Sequence, residues 1–253
     1  MFFFRRNLGI TSKFFSVFGF NFCIFYERIR KVKGNNLNLG CGTYLIKGFD
    51  NLDYSNSKNK KIIQWDARKQ KLPYKSNSID NIYVSHFIEH IDDKDAKFLF
   101  LECHRVLKKN GTFRISYPDA NFLFNISIFK NAYFYFLDEY KKSSFKRLLF
   151  LLSDLFLDFE KSNFQTYKKA KIFFLKKDYK KFIKLLINYK FEFRKGSNHI
   201  SIWDFKKIEK ISYETKFRNV IDSKRNLSVS KEMRGVEFDR SHPEISSYVD
   251  IIK

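Results

Sequence analysis

The chain has 253 residues, enough for one α/β domain or one such domain carrying a large insertion; two large independent domains would be crowded. Lys and Arg total 49 against 27 Asp and Glu, a formal net charge of +22, which implies attraction to something anionic such as a membrane surface, a nucleic acid or an acidic polymer. The chain is rich in Lys, Asn, Ile and Phe throughout, so charge alone names no partner. Cys23, Cys41 and Cys103 form no CxxC pair, which argues against a zinc knuckle or a disulfide framework and fits a reducing cytoplasm.

Residues 1–34 read as a basic, apolar helical extension. Its run Phe14 to Tyr26 is 13 residues long, shorter than the roughly 20 a helix needs to cross a bilayer, and no convincing small-residue cleavage site accompanies it. A packed helix is the leading reading. Contact with an anionic membrane surface is the alternative, because a chain with 32 Phe and this charge suits an interface.

In "NNLNLGCGTYLIKGFDNLDYS", Leu37 and Leu39 alternate with Asn36 and Asn38 as a short strand does. Gly40 and Gly42 then permit a tight turn and close approach of a ligand to the backbone. A dinucleotide fingerprint wants a third glycine where this chain has Leu45, and an acid only 13 residues after Gly40 also disfavours a nicotinamide dehydrogenase. A second strand ends at Asp50 to Asp53, a third lies in "KKIIQWDA", and a fourth spans Asn81 to Ser85.

The spacing of Ala96, Leu99, Phe100, Cys103, Val106 and Leu107 predicts an amphipathic helix, opened by acids, closed by Lys108 and Lys109 and stopped at Asn110-Gly111. "TFRISYPD" returns to strand alternation. Residues 120–196 are Phe, Leu, Lys and Tyr at helical spacings and read as an inserted helical layer or lid, with a membrane or partner surface as the alternative. A helix beginning near Asp204, a strand around Phe217 to Ile221 and a last strand in "SSYVDIIK" complete residues 197–253.

Such alternation implies a mostly parallel sheet with helices on both faces, whose ligands bind beyond the carboxyl ends of the strands. Gly40, Gly42, Asp53, Asp66, His86 and Asp119 each follow a predicted strand, so they gather at one edge. Asp53 could accept from a ribose diol and Asp66 from an adenine amino group. His86 has the best placement for a base or acceptor contact; His199, and Asp119 as an orienter, are the other candidates. His104 reads as structural.

With those residues in place, the chain resembles the class I S-adenosylmethionine-dependent methyltransferases, in the type 11-like branch that often accompanies polysaccharide and sugar modification. "LNLGCG" resembles the first motif, "GFDNLDYS" the ribose acid, "WDARKQKLPYKSNSIDNIYVSHFIEHI" the adenine contact and fourth strand, and "LECHRVLKKNGTFRISYPD" the helix and fifth strand. The resemblance spans residues 36–119 and resumes more weakly at "HISIWDF" and "SSYVDIIK". It implies a Rossmann-like seven-stranded sheet, with residues 35–119 as the cofactor-binding half and the last two strands as an antiparallel edge hairpin. S-adenosylmethionine is the implied cofactor. Leu39, Gly40, Cys41 and Gly42 fall to its methionine portion, Asp53 to its ribose, Asp66 and Ala67 to adenine, and Ser85 and His86 to the wall facing the acceptor. His199, four residues before Trp203, matches a His and aromatic pair of the family. "KKNG" replaces the usual "KPGG", and the glycine often preceding the sixth strand is replaced around Thr215-Lys216-Phe217.

The implied reaction is methyl transfer to a small molecule or glycan hydroxyl, with the protein cytoplasmic or peripheral to the membrane. A nucleic-acid methyltransferase is the rival, weakened by lysines spread along the whole chain and by the absence of an "NPPY"-type motif. A membrane-surface scaffold with a degenerate fold is another. "HFIEH", residues 86–90, has the letters of an inverted zinc-peptidase pattern. That site would need a helix holding both histidines on one face and a further ligand, perhaps Glu102, whereas the histidines fall at a strand exit; no metal is expected.

Overall fold

The computed structural model describes residues 34–54, 61–128, 143–153, 159–187 and 199–253. The expected N-terminal extension, with any anchor in it, lies outside the described residues but for Gly34. Among the described residues no helix is long and apolar enough to cross a membrane.

Seven strands form one sheet: β1 Asn36–Leu39, β2 Asp50–Asp53, β3 Ile62–Gln64, β4 Ile79–Ser85, β5 Leu107–Pro118, β6 Asn219–Ser223 and β7 Ser246–Ile252. Their order is β3-β2-β1-β4-β5-β7-β6. β1 to β5 pair in parallel, while β7 runs antiparallel to both β5 and β6, so the sheet is mixed. The strand order reverses between β1 and β4, where Leu39 stands opposite Val84. The crevice beyond those two carboxyl ends is where an open α/β sheet takes its ligand.

β1 is buried along its whole length rather than on alternate residues. Its asparagines are spent internally: Asn38 donates to Asn51 Oδ1 at 2.8 Å and to the Tyr44 carbonyl at 2.9 Å, and Asn81 donates to Asn36 Oδ1 at 2.6 Å. Asn51 in turn binds the backbone of Ile46 and Phe49. Buried amides that find partners cost little, and here they tie the segment after the glycine turn to β2.

Helix α1 spans Asp93–Val106, with Asp92 as N-cap accepting from Asp95 N at 2.7 Å. Ala96, Leu99, Phe100, Cys103 and Val106 bury its apolar stripe in the main core. The helix stops earlier than its sequence suggests. Asn77 N and Ser78 N take the carbonyls of Arg105 and Val106, and Leu107 pairs with Ile79, so Lys108 to Asn110 belong to β5.

Among the described residues between β5 and residue 187 there are five helices: α2 Ala120–Ile128, α3 Ser144–Leu152, α4 Phe159–Ser162, α5 Phe164–Leu175 and α6 Tyr179–Ile187. They have a core of their own, in which Phe124, Phe145, Phe174 and Phe182 meet at ring separations of 4.9 to 6.5 Å and Ile202 and Ile245 join. Much of the Phe load is therefore packing.

Helix α7, Phe205–Glu214, is capped by Asp204. It ends on Lys216 at φ 73°, with Phe217 N returning to the Ser212 carbonyl, so a lysine takes the left-handed position a glycine usually fills. Phe217 is thereby buried in the core, and β6 begins two residues later than expected.

Candidate active site

Two cavities share Gly40 at the switch point. The smaller, about 170 Å³, is lined by Asp53, Asp66, Ala67 and Arg68 with Tyr54, Trp65, Phe87 and His90 around them. The larger, about 400 Å³, takes its walls from Gly40 to Tyr44, from Tyr83, Ser85 and His86 after β4, and from Glu237, Arg240, Ser241 and His242. That last group comes from the β6–β7 connection, residues 224–245. None of the described residues of the inserted helices lines either cavity.

The glycine turn is shaped from both sides. Gly40 has φ 65°, and a Cβ there would meet the Phe87 ring at 2.3 Å. Gly42 has φ 50° with nothing within 4 Å of the same position, so the space it leaves faces the cavity. Its amide donates to Asp53 Oδ2 at 2.8 Å, which fixes the turn to the end of β2. The two glycines therefore separate by substitution. Gly40→Ala should lower stability by about 2 kcal/mol or more through the ring clash and the left-handed backbone. Gly42→Ala should cost only about 1–2 kcal/mol, the left-handed penalty, yet lose ligand affinity. Thermal unfolding beside a binding titration checks both.

Asp66 is held bidentate by Arg68, at 2.9 Å from Nε to Oδ1 and 3.0 Å from Nη2 to Oδ2, and this guanidinium is the main reason its carboxyl sits below the ordinary range. Arg68 also lies over the Tyr54 ring at 4.8 Å. Cys41 is buried against the turn, and burial pushes its thiol up to about 11, so it is no thiolate at neutral pH. Leu39 is fully buried and lines neither cavity, whereas Ala67 and Ser85 do. Ser85 Oγ accepts from Ser116 Oγ at 2.8 Å.

His86 has φ 47°, in the left-handed region that only a constrained side chain holds. Its Nδ1 is 3.2 Å from Glu89 Oε1 and its Nε2 is 2.6 Å from Ser246 Oγ. Ser246 Oγ also approaches the carbonyls of His242 at 2.7 Å and Ser241 at 3.2 Å. Both ring nitrogens are thus engaged inside the protein. Asp119 lines neither cavity: it accepts from the amides of Asn121 and Phe122 and from the Tyr117 hydroxyl, as the cap of α2. Burial holds its carboxyl above the ordinary range.

His199 is brought beside Glu89 and His90, with Nε2 3.9 Å from Glu89 Oε1 and the two imidazoles 5.0 Å apart. The amides of Ile200 and Ser201 both donate to the Glu89 carbonyl, and Trp203 Nε1 donates to that of Ile88, which seats the 199–203 segment against the β4 exit. Glu102, the expected further ligand of the zinc pattern, is instead bound to Arg105 and the Leu72 amide. Residues 88–90 form only a single 3₁₀ turn.

Sequence reasoning did not foresee Tyr83, Arg240, Ser241 or His242 in the larger cavity. Asp239 and His242 both take positive φ, but nothing in the local pattern of 224–245 marks a wall.

A family model described as "Methyltransferase domain" matches residues 47–115. The chain is a methyltransferase. It is an enzyme of the S-adenosylmethionine-dependent type, and that sulfonium is its methyl donor. No curated protein matches the chain. Solved structures similar to this methyltransferase include a SAM-dependent methyltransferase from Archaeoglobus fulgidus, 14% identical over 88% of this chain and 87% of that one, TM-score 0.43. Another, from Mesorhizobium loti, is 13% identical over 88% and 93%, TM-score 0.43. A third, from Thermotoga maritima and described as a possible histamine N-methyltransferase, is 14% identical over 87% and 83%, TM-score 0.41.

Proposed function

We propose that the enzyme methylates a hydroxyl of a small, polar acceptor, a sugar or related glycan precursor. The observation that carries this reading is the pair of cavities joined at Gly40. One is lined by Asp53, Asp66 and Ala67, a set suited to an adenosine; the other by Ser85, Tyr83, Ser241, Arg240 and Glu237, hydroxyls and charges suited to a hydroxylated molecule. Asp53 accepts from the ribose diol, Asp66 and the Ala67 backbone face adenine, and the Leu39 to Gly42 turn runs beside the methionine portion. The link to polysaccharide synthesis rests on the resemblance of the motifs, and residues 35–119 and 197–253 together are the proposed catalytic domain.

In the reaction a lone pair of the acceptor oxygen attacks the methyl carbon in line with the carbon–sulfur bond. That bond breaks with its electrons going to sulfur, which leaves S-adenosylhomocysteine, and the hydroxyl proton passes to solvent water. Positioning supplies much of the rate in such a displacement. Ser85 and His86 form the wall that orients the acceptor, and His86, with both nitrogens engaged, holds that wall rather than taking the proton.

Calorimetric titration with S-adenosylmethionine and S-adenosylhomocysteine, followed by transfer of a labelled methyl group to a panel of sugars and nucleoside-diphosphate sugars, tests the reading. Saturable binding with label in a sugar hydroxyl supports it. Label transferred only to RNA or DNA at physiological salt would overturn it in favour of a nucleic-acid acceptor.

A further inference from the structure

Glu89 is 1% exposed, and apart from the approach of His86 Nδ1 at 3.2 Å and His199 Nε2 at 3.9 Å to its Oε1, its carboxylate oxygens have no hydrogen-bond partner among the described residues. A buried carboxylate without such partners costs several kcal/mol unless a cation compensates it. One ligand atom from each of Glu89, His90 and His199 lies within 4.8 Å of the other two. We infer that these three side chains bind a first-row divalent cation.

Two imidazoles and one carboxylate with positions left open are the donor set of catalytic zinc and related ions, while Ca²⁺ and Mg²⁺ prefer oxygen alone. Such ions hold their ligands at about 2.0–2.2 Å, so ligand atoms stand roughly 3.4 Å apart around a tetrahedral centre. The 3.9 Å from His199 Nε2 to Glu89 Oε1 closes to that with a small rotation of the exposed side of His199. His86 Nδ1, 3.2 Å from Glu89 Oε1, is the outer partner that orients the ligating carboxylate.

The backbone is built to hold this set. His90 and Glu89 are consecutive in one 3₁₀ turn, and the double donation of Ile200 and Ser201 to the Glu89 carbonyl brings His199 across from a segment more than one hundred residues away. Of the three, His90 lines the smaller cavity, while His86, beside Glu89, lines the larger. Resting on the methyl-transfer reading above, the open coordination positions would take the acceptor oxygen. A cation there lowers the pKa of a bound hydroxyl, which supplies the deprotonation for which His86 has no spare nitrogen.

Cation binding is measured without any methyl transfer, so its failure is separate from failure of that reading. The chelator-treated full chain is titrated with Co²⁺ while visible d–d absorption is followed, and with Zn²⁺ by calorimetry. One saturable equivalent is expected. His199→Gln and Glu89→Gln should each weaken it by more than the roughly 10–100-fold that loss of an outer-shell partner costs, while His104→Gln, on α1 against Phe217, leaves it unchanged. His199 is partly exposed, so His199→Gln keeps the test alive if Glu89→Gln fails to fold. No saturable binding by the folded protein, or equal binding by wild type and a folded His199→Gln, overturns the proposal.

Discussion

Asp53→Ala is expected to weaken S-adenosylmethionine binding by about 100-fold or more while the fold survives, as read by calorimetric titration beside circular dichroism. A hydrogen bond to a charged group contributes about 1.5–3 kcal/mol. Two ribose hydroxyls on one carboxylate therefore account for more than the roughly 2.7 kcal/mol that 100-fold represents. The side chain does a second job, since its Oδ2 accepts from Gly42 N and fixes the glycine turn. Asp53→Asn keeps one acceptor oxygen and removes the charge, so it should fall between wild type and Asp53→Ala. Asp53 lies at the end of a short strand and is only partly buried, so its loss should cost the fold about 1 kcal/mol. Unchanged affinity in Asp53→Ala would move the ribose elsewhere.

How much of this was visible in the chain follows from which interactions are local. The glycine turn, Asp53, Asp66 and the α1 stripe each announce themselves within a few residues, because turns, strand ends and helical faces are set by near neighbours. The buried asparagines of β1 are different. Asn36 and Asn38 read as the solvent face of an alternating strand, and only their partners Asn81 and Asn51 make a covered strand tolerable. Asp119 illustrates the same limit from the other side. Its place after β5 suggested chemistry, but a carboxylate at a strand-to-helix junction is also a helix cap, and the amides of Asn121 and Phe122 decide for the cap. The convergence of His199 on Glu89 depends on a crossing that skips the whole helical insertion. The letters "HFIEH" do not read as a metal pattern because the histidines follow a strand, and the approach of His199 to Glu89 is not visible in them.

The wall of the larger cavity was the least visible part, because one buried cluster seats it. Arg114 is fully buried in the middle of β5. Its NH2 donates to Asp239 Oδ2 at 2.6 Å and to the Lys224 carbonyl at 2.9 Å, and its NH1 reaches both oxygens of Asp250 at 3.1 and 3.2 Å and Ser223 Oγ at 3.1 Å. Asp250 stands directly opposite Arg114 across the β5–β7 ladder, and it also accepts from Ser228 Oγ and Val229 N. Asp239 accepts from Asn226 N and gives its own amide to the Tyr83 hydroxyl. Three charges and the backbone of 224–239 are thus one unit. Asp239→Ala removes one carboxylate from it and frees the strap that carries Arg240, Ser241 and His242 to the cavity.

Breaking a buried pair in this way costs about 3–5 kcal/mol, which for a domain of this size lowers Tm by roughly 6–20 °C. Arg114→Met should be at least as damaging, because it leaves two buried carboxylates facing each other without a cation. The smaller cavity, proposed for adenosine, shares no residue with this unit. At a temperature where the Asp239→Ala protein is folded, kcat/KM for the acceptor should therefore fall more than S-adenosylmethionine affinity does. Differential scanning calorimetry with donor titration separates the two effects, and a Tm within about 2 °C of wild type, less than 1 kcal/mol on the same scale, would mean that the strap is held by other contacts.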